Sequence, residues 1–163
     1  MFAYCNNNPV NAFDPYGAWT ITFSIGIDLT LLLFGFAASI GIAFDDNGNI
    51  AIQGSYCAPN YLSNNETYYI GLADIGGGGS FQWTTDDTVF DLEGPATYIG
   101  GSAGLAEYFS ADMVYSGVTV DDEDREKALP SGFQINYGIG VGIDLHYRQS
   151  QTKTLWLICG DES

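Results

Sequence analysis

The sequence predicts an all-β domain: an antiparallel, closed or nearly closed barrel of roughly eight to ten strands, with a two-sheet sandwich as the alternative. Three observations point there. Apolar and polar or small residues alternate strictly over two long segments, the pattern of strands with two unlike faces. The 163 residues include 21 glycines with no three-residue period and only 5 prolines, which excludes a collagen-like chain. The only helix-compatible stretch, residues 121–127, has no apolar residues recurring at helical spacing. With 46% hydrophobic and 15% aromatic residues the chain is too apolar for a disordered acidic tail, and its length fits one domain. The composition shift at residue 17 divides it into a leader or linker, residues 1–17, and a single β domain, residues 18–163.

The leader, MFAYCNNNPVNAFDPYG, carries three consecutive asparagines, two prolines and a terminal glycine, and reads as successive turns. The first strand follows: Ile21, Phe23, Ile25, Ile27 and Leu29 are apolar, while Thr20, Thr22, Ser24, Gly26, Asp28 and Thr30 are polar or small. Leu31 to Phe34 break the alternation, and Gly35 marks a bend into a second strand ending at Phe44. Asp45-Asp46-Asn47-Gly48-Asn49 is a hairpin signal, because Asn-Gly supplies the positive φ of a tight turn, and Ile50, Ile52 and Tyr56 continue the next strand.

Residues 59–66 read as a polar loop before an expected strand over 68–73. Gly76 to Gly79 then read as a flexible turn or as a strand section whose backbone lies close to something bulky. Short strands are expected at 81–83 and 88–92, and a further pair at 96–105 and 107–115. The acidic run 121–127 reads as a solvated loop or single turn. Phe133 to Tyr147 alternates over fifteen residues, about 50 Å if unbent at ~3.3 Å per residue, and its glycines imply sharp coiling. The last strand runs from Thr152 to Ile158, with Lys153 suited to blunting an exposed edge. Ser24-Ile25-Gly26-Ile27-Asp28-Leu29 and Val141-Gly142-Ile143-Asp144-Leu145 share a Gly-Ile-Asp-Leu core, which fits equivalent strands, an old duplication or chance.

Four basic residues against 20 acidic ones give a formal net charge of −16, a field that opposes nucleic acid and anionic lipid. A nuclease is therefore the least favoured enzyme. Cys5, Cys57 and Cys159 are too few for a disulfide scaffold and lack metal-ligand spacing. The first ten residues lack the basic and apolar regions of a signal peptide, and no apolar run reaches the roughly 20 residues of a membrane helix. Export, on this reading, is supplied by a larger protein.

Tyr4, Asn7-Asn8-Pro9-Val10-Asn11 and Asp14-Pro15-x-Gly17 carry a resemblance. This leader resembles the C-terminal end of the RHS repeat-associated core found in bacterial RHS and YD-repeat proteins, over about 17 of the 163 residues. The resemblance implies that residues 18–163 are the variable C-terminal domain of a larger exported or cell-surface bacterial protein, with Met1 an internal start. It also implies an upstream RHS shell or an immunity or surface protein as partner. Pro9, Asp14, Pro15 and Gly17 match the family's processing motif, although the rest of a cleavage apparatus is missing. In that family the domain after the motif is often a toxin or effector.

Candidate chemistry is sparse. His146, the single histidine, stands on the polar face of its strand beside Asp144, and Cys57 or Cys159 are the thiols that would complete a nucleophilic arrangement, without a nucleophile elbow. No zinc ligand set is recognisable, and the acidic stretches 45–49, 86–87 and 121–126 lack the ligand order of a calcium loop, so neither metal nor cofactor is expected. Glu93 and Glu107 are one of many carboxylate pairs on which a glycosidase could be drawn. Gly76 to Gly79 lacks the Lys-Ser/Thr of a phosphate loop. Tyr68, Tyr69, Phe81, Trp83, Phe90, Tyr98, Tyr108, Phe109 and Tyr115 would line a groove or pack the sheet faces.

Three functions compete. The favoured one is a non-enzymatic surface, structural or binding module at the end of an RHS-type protein. The second is a membrane-active effector, suggested by apolar-out, small-in alternation over 133–147 and opposed by the acidic charge and the lack of aromatic girdles in the sequence. The third is an enzyme toxin acting through His146 or a carboxylate.

Overall fold

A computed structural model describes residues 18–31, 34–57, 69–117 and 129–159. The leader, with Pro9, Asp14, Pro15 and Gly17, lies outside the described residues, as do Cys5, the loop expected at 59–66, Tyr68 and the acidic run 121–127. The described residues form six strands: β1 (Thr20–Leu31), β2 (Phe34–Asp45), β3 (Ile50–Cys57), β4 (Tyr69–Thr84), β5 (Gly94–Ser116) and β6 (Gly132–Ile158). All pair antiparallel in one sheet of order β3-β2-β1-β4-β6-β5, and β3 also pairs with β6 to complete a ring of hydrogen bonds. The result is a nearly closed, barrel-like wall rather than two separate sheets.

The strand count differs from the expected eight to ten because three breaks read from the sequence are not breaks. Residues 69–84 are continuous through Gly76 to Gly79, 94–116 through Ala106, and 132–158 through the segment joining Tyr147 to Thr152. Residues 88–92, expected as a strand, form a turn in which Asp91 accepts from the Thr88 amide at 2.9 Å.

The ring closes through β6. Gln151 and Thr152 pair with Pro95 and Gly94 of β5 and also with Tyr56 and Ser55 of β3, so β3 and β5 lie on opposite edges of β6. Residues 132–146 carry β4 on the edge opposite β5. Following the alternating directions through β4, β1, β2 and β3 back to β6 shows that its two ends run in opposite senses. The β5–β6 ribbon therefore coils back on itself. Ala106 at φ 94° and Gly142 at φ 147° mark the bend, and the ends of β5 come together where the Gly117 amide donates to Pro95 O at 2.9 Å.

The glycine run is a close approach rather than a hinge. Gly78 pairs with Gly138, and a Cβ on either would strike the other's strand, while a Cβ on Gly76 would meet the Tyr108 ring. The β2–β3 hairpin stands where Asn47-Gly48 placed it, with Gly48 at φ 80°. Asp45 holds that turn: Oδ1 accepts from the amides of Asn47 (3.0 Å) and Asn49 (2.9 Å), and Oδ2 from Asn49 Nδ2 (2.8 Å) and the Val89 amide (3.0 Å). Beneath it Ala43, Ala51, Val89 and Leu92 form a small apolar plug.

Candidate functional site

Strand parity sends the polar face inward. A tightly coiled sheet has little room on its concave side, so the small and polar residues of each strand face in and the branched and aromatic ones face out. Asp28 and Asp144, at the same place in the two Gly-Ile-Asp-Leu segments, both lie on the inner face, with Ile27, Leu29, Ile143 and Leu145 exposed outside. The interior holds a partly open cavity of about 100 Å³, bordered among others by Ser24, Asp28, Gln53, Tyr108, Asn136 and Arg148. Its walls are tied together by polar contacts, such as Ser24 with Ser80 and Ser55 with Thr152 (2.6 Å).

Two polar clusters stand in this interior. In the first, His146 Nδ1 lies 2.8 Å from Asp144 Oδ2 and Nε2 lies 2.6 Å from Asp112 Oδ1, while Arg148 donates to Asp112 Oδ2 at 3.2 Å. Only an imidazolium donates to both carboxylates at once. The Arg148 guanidinium also lies over the Tyr98 ring, 5.4 Å from its centroid, and Asn136 Nδ2 donates to Ser110 Oγ at 2.5 Å. Asp112 on β5 and His146 on β6 face one another only because the ribbon coils back. The cluster thus clamps that coil.

In the second cluster Tyr108 Oη lies 2.9 Å from Asp28 Oδ2 and 3.0 Å from Asp74 Oδ2, and Ser102 Oγ lies 2.5 Å from Asp74 Oδ2. Asp28, Asp74 and Asp144 each leave Oδ1 with no hydrogen-bond partner among the described residues.

The expected site residues separate. His146 is buried with a carboxylate on each ring nitrogen, which leaves neither nitrogen to serve a nucleophile as general base. Cys57 is buried at the end of β3 and Cys159 is exposed beyond β6. Glu93 and Glu107 are both exposed, one in the β4–β5 turn and the other at the bend of β5. Of the aromatics, Tyr98 and Tyr108 turn inward with their hydroxyls bonded, Tyr98 to Gln82 Oε1 at 3.2 Å. Asp45 spends both oxygens on its own turn and on Val89. Among the described residues no three His, Cys, Asp or Glu side chains converge as a metal set.

The sequence reading passed over Asp74, Asp112 and Arg148, and had Asp28 only as a polar-face residue and Tyr108 only as one of many aromatics for a groove or a sheet face. The signal for the acids was parity: Asp74 precedes the outward Ile75, and Asp112 stands between the outward Ala111 and Met113. It also passed over an aromatic row that the register assembles on the outer face. Phe23, Phe81, Phe133 and Trp83 stack across β1, β4 and β6, with centroids 5.4 Å apart for Phe23–Phe81, 6.1 Å for Phe81–Phe133 and 6.0 Å for Trp83–Phe133.

Above and around that row, the outer face is apolar: Ile25 is 67% exposed, Ile139 78% and Leu145 71%, with Ile27, Leu29, Ile40, Ile42, Val141 and Ile143 continuing the surface. No helix among the described residues is long and apolar enough to cross a membrane, which says nothing about strands. No protein-family model, curated protein or solved structure matches the chain.

Proposed function

We propose that the chain is a small membrane-inserting β module, held in the bilayer by its outer face and carried at the C-terminal end of a larger, exported RHS-type bacterial protein. One observation carries the reading: the barrel-like wall has its polar residues inside and its apolar residues outside, the reverse of a water-soluble domain. A continuous apolar surface on this scale exceeds the few hundred Å² usual for a soluble monomer and marks a surface that meets lipid or another protein.

Strand length supports lipid. β1 and β2 have 12 residues each, and a strand tilted at about 45° needs roughly 9–11 to cross the hydrocarbon core. The aromatic row of Phe23, Phe81, Trp83 and Phe133 lies near the strand ends at Thr20, Thr84 and Gly132, where an interfacial girdle belongs. The ring of backbone hydrogen bonds leaves few strand edges to satisfy within lipid. The net charge of −16 favours zwitterionic over anionic bilayers. The placement of both ring nitrogens of His146 speaks for a non-enzymatic module, and the leader carries the RHS assignment.

Flotation of the full chain with phosphatidylcholine vesicles tests this. The expected result is co-flotation that survives alkaline carbonate washing, with Trp83 and Trp156 fluorescence quenched by lipids brominated in the acyl chains. A monodisperse protein in detergent-free buffer that ignores vesicles would overturn the membrane reading and return the outer face to a protein-docking role.

A further inference from the structure

We infer that Asp28, Asp74, Tyr108 and Ser102 form a binding site for a small hard cation, entered from the interior cavity. The charge balance of the interior leads there. Asp112 and Asp144 are matched by His146 and Arg148. Asp28 and Asp74 face each other across the Tyr108 hydroxyl, and among the described residues no basic side chain pairs with either.

The hydrogen count gives the second step. Three oxygen–oxygen contacts, Tyr108 with Asp28, Tyr108 with Asp74 and Ser102 with Asp74, share two hydroxyl protons. The third contact needs either a third proton, which the Asp28 carboxyl can carry because burial raises it, or a cation beside it. Independently, Asp74 is only 3% exposed and its Oδ1 has no hydrogen-bond partner among the described residues. A buried carboxylate oxygen without a partner is costly, and native structures usually satisfy it with water or an ion. Asp28 Oδ1 is in the same condition.

Four oxygen donors, two of them carboxylates and none nitrogen or sulfur, suit a hard cation such as Ca²⁺ rather than Zn²⁺. Access is open, because Asp28 and Tyr108 border the cavity of about 100 Å³. One water needs roughly 10–15 Å³ measured in this way, so a cation can enter with part of its hydration shell. The acidic turns at 45–49 and 86–87 are separate from this site.

Terbium(III) luminescence of the full chain in mild detergent is the test, since the Tyr108 phenol stands in the site and sensitises the ion. The expected result is saturable luminescence displaced by Ca²⁺, with affinity lowered about tenfold or more in both Asp28→Asn and Asp74→Asn while circular dichroism is unchanged. Absence of sensitised emission, or affinity unchanged from the native chain in both variants, overturns the site; the first outcome leaves a lone bound proton as the balancing charge, the second an ion on surface acids. If Asp74→Asn does not fold, Asp28→Asn decides, because its half-buried side chain stands at the cavity wall. The site does not depend on the membrane reading. Luminescence from a protein that ignores vesicles would sink that reading and leave this one standing.

Discussion

Asp86 is the residue at which pH should act most simply, because it sits in the β4–β5 turn outside the strands. Burial raises its carboxyl above the usual carboxylate range; the hydroxyls of Thr84 and Ser116 only partly offset this, and neighbouring Asp91 and Asp87 push the same way. Ser116 Oγ donates to Asp86 Oδ2 at 2.8 Å, and Thr20 Oγ1 donates to its backbone carbonyl at 3.0 Å. The folded state therefore holds the Asp86 proton more tightly than the unfolded one, so this residue's contribution is greatest at low pH. It declines as pH rises from the ordinary carboxylate value through the raised one. Asp86→Asn keeps an acceptor for Ser116 and removes the charge. Urea midpoints in detergent at about pH 4 and about pH 7 should show a smaller loss of stability with rising pH than in the native chain. At the higher pH the variant should match or exceed the native midpoint, and a variant weaker than native at neutral pH would show that the charged form is the one the fold uses.

Single residues were also where the sequence was easiest to read. Asn47-Gly48 forces its own turn through φ, and that information is local. Nothing local announced that Asp45 would reach the amide of Val89, because that bond needs the β4–β5 turn to be folded under the hairpin. His146 was visible as a polar-face histidine next to Asp144. Its second carboxylate, Asp112, is 34 positions away and arrives only with the coil of the ribbon.

At the scale of the element, Gly78 and Gly79 make a controlled comparison. A Cβ on Gly78 would strike Tyr137 O and the Gly138 backbone, whereas on Gly79 its nearest neighbour is Ser24 O at 3.8 Å. Gly78→Ala should cost more than about 3 kcal/mol or abolish the β signal, as overpacking against backbone does when nothing can yield. Gly79→Ala should stay within about 1 kcal/mol of native, helped by the smaller entropy of its unfolded chain. Thermal melts by circular dichroism compare the two, and equal effects would mean that β4 and β6 are not in this register. The glycine run was read from the sequence as either a turn or a crowded strand. Its neighbours at Gly26, Gly138 and Gly140 decide for the strand, and the parity of Asp74 and Ile75 runs unbroken through it.

The whole molecule sets the sign of the outer face. Ile25 lies at the middle of β1 and points outward, so Ile25→Arg should leave the fold in detergent intact. A cation at the lipid midplane costs about 2–4 kcal/mol, and vesicle binding should weaken by a factor on the order of 30 to 1000. The same substitution at Asp46, in the β2–β3 turn, should not weaken it. Flotation that is indifferent to Ile25→Arg would remove this face from the bilayer.

By itself the sequence determined the two-faced strands, the hairpin at Asn47-Gly48 and the all-β class, because period-2 alternation and turn conformation are properties of neighbouring residues. It also showed that one face is small enough for sharp coiling. Only the tertiary structure decided that six long strands would close into a ring, since β6 must reverse to meet both β4 and β3. That reversal is a long-range pairing which no local signal encodes. The same closure gathers Asp28, Asp74, Asp112, His146 and Arg148 from four strands into one interior and aligns Phe23, Phe81, Trp83 and Phe133 outside it. Alternation defines two faces; curvature chooses which one is inside, because the concave side of a narrow ring holds glycine, serine and aspartate where isoleucine and phenylalanine do not fit.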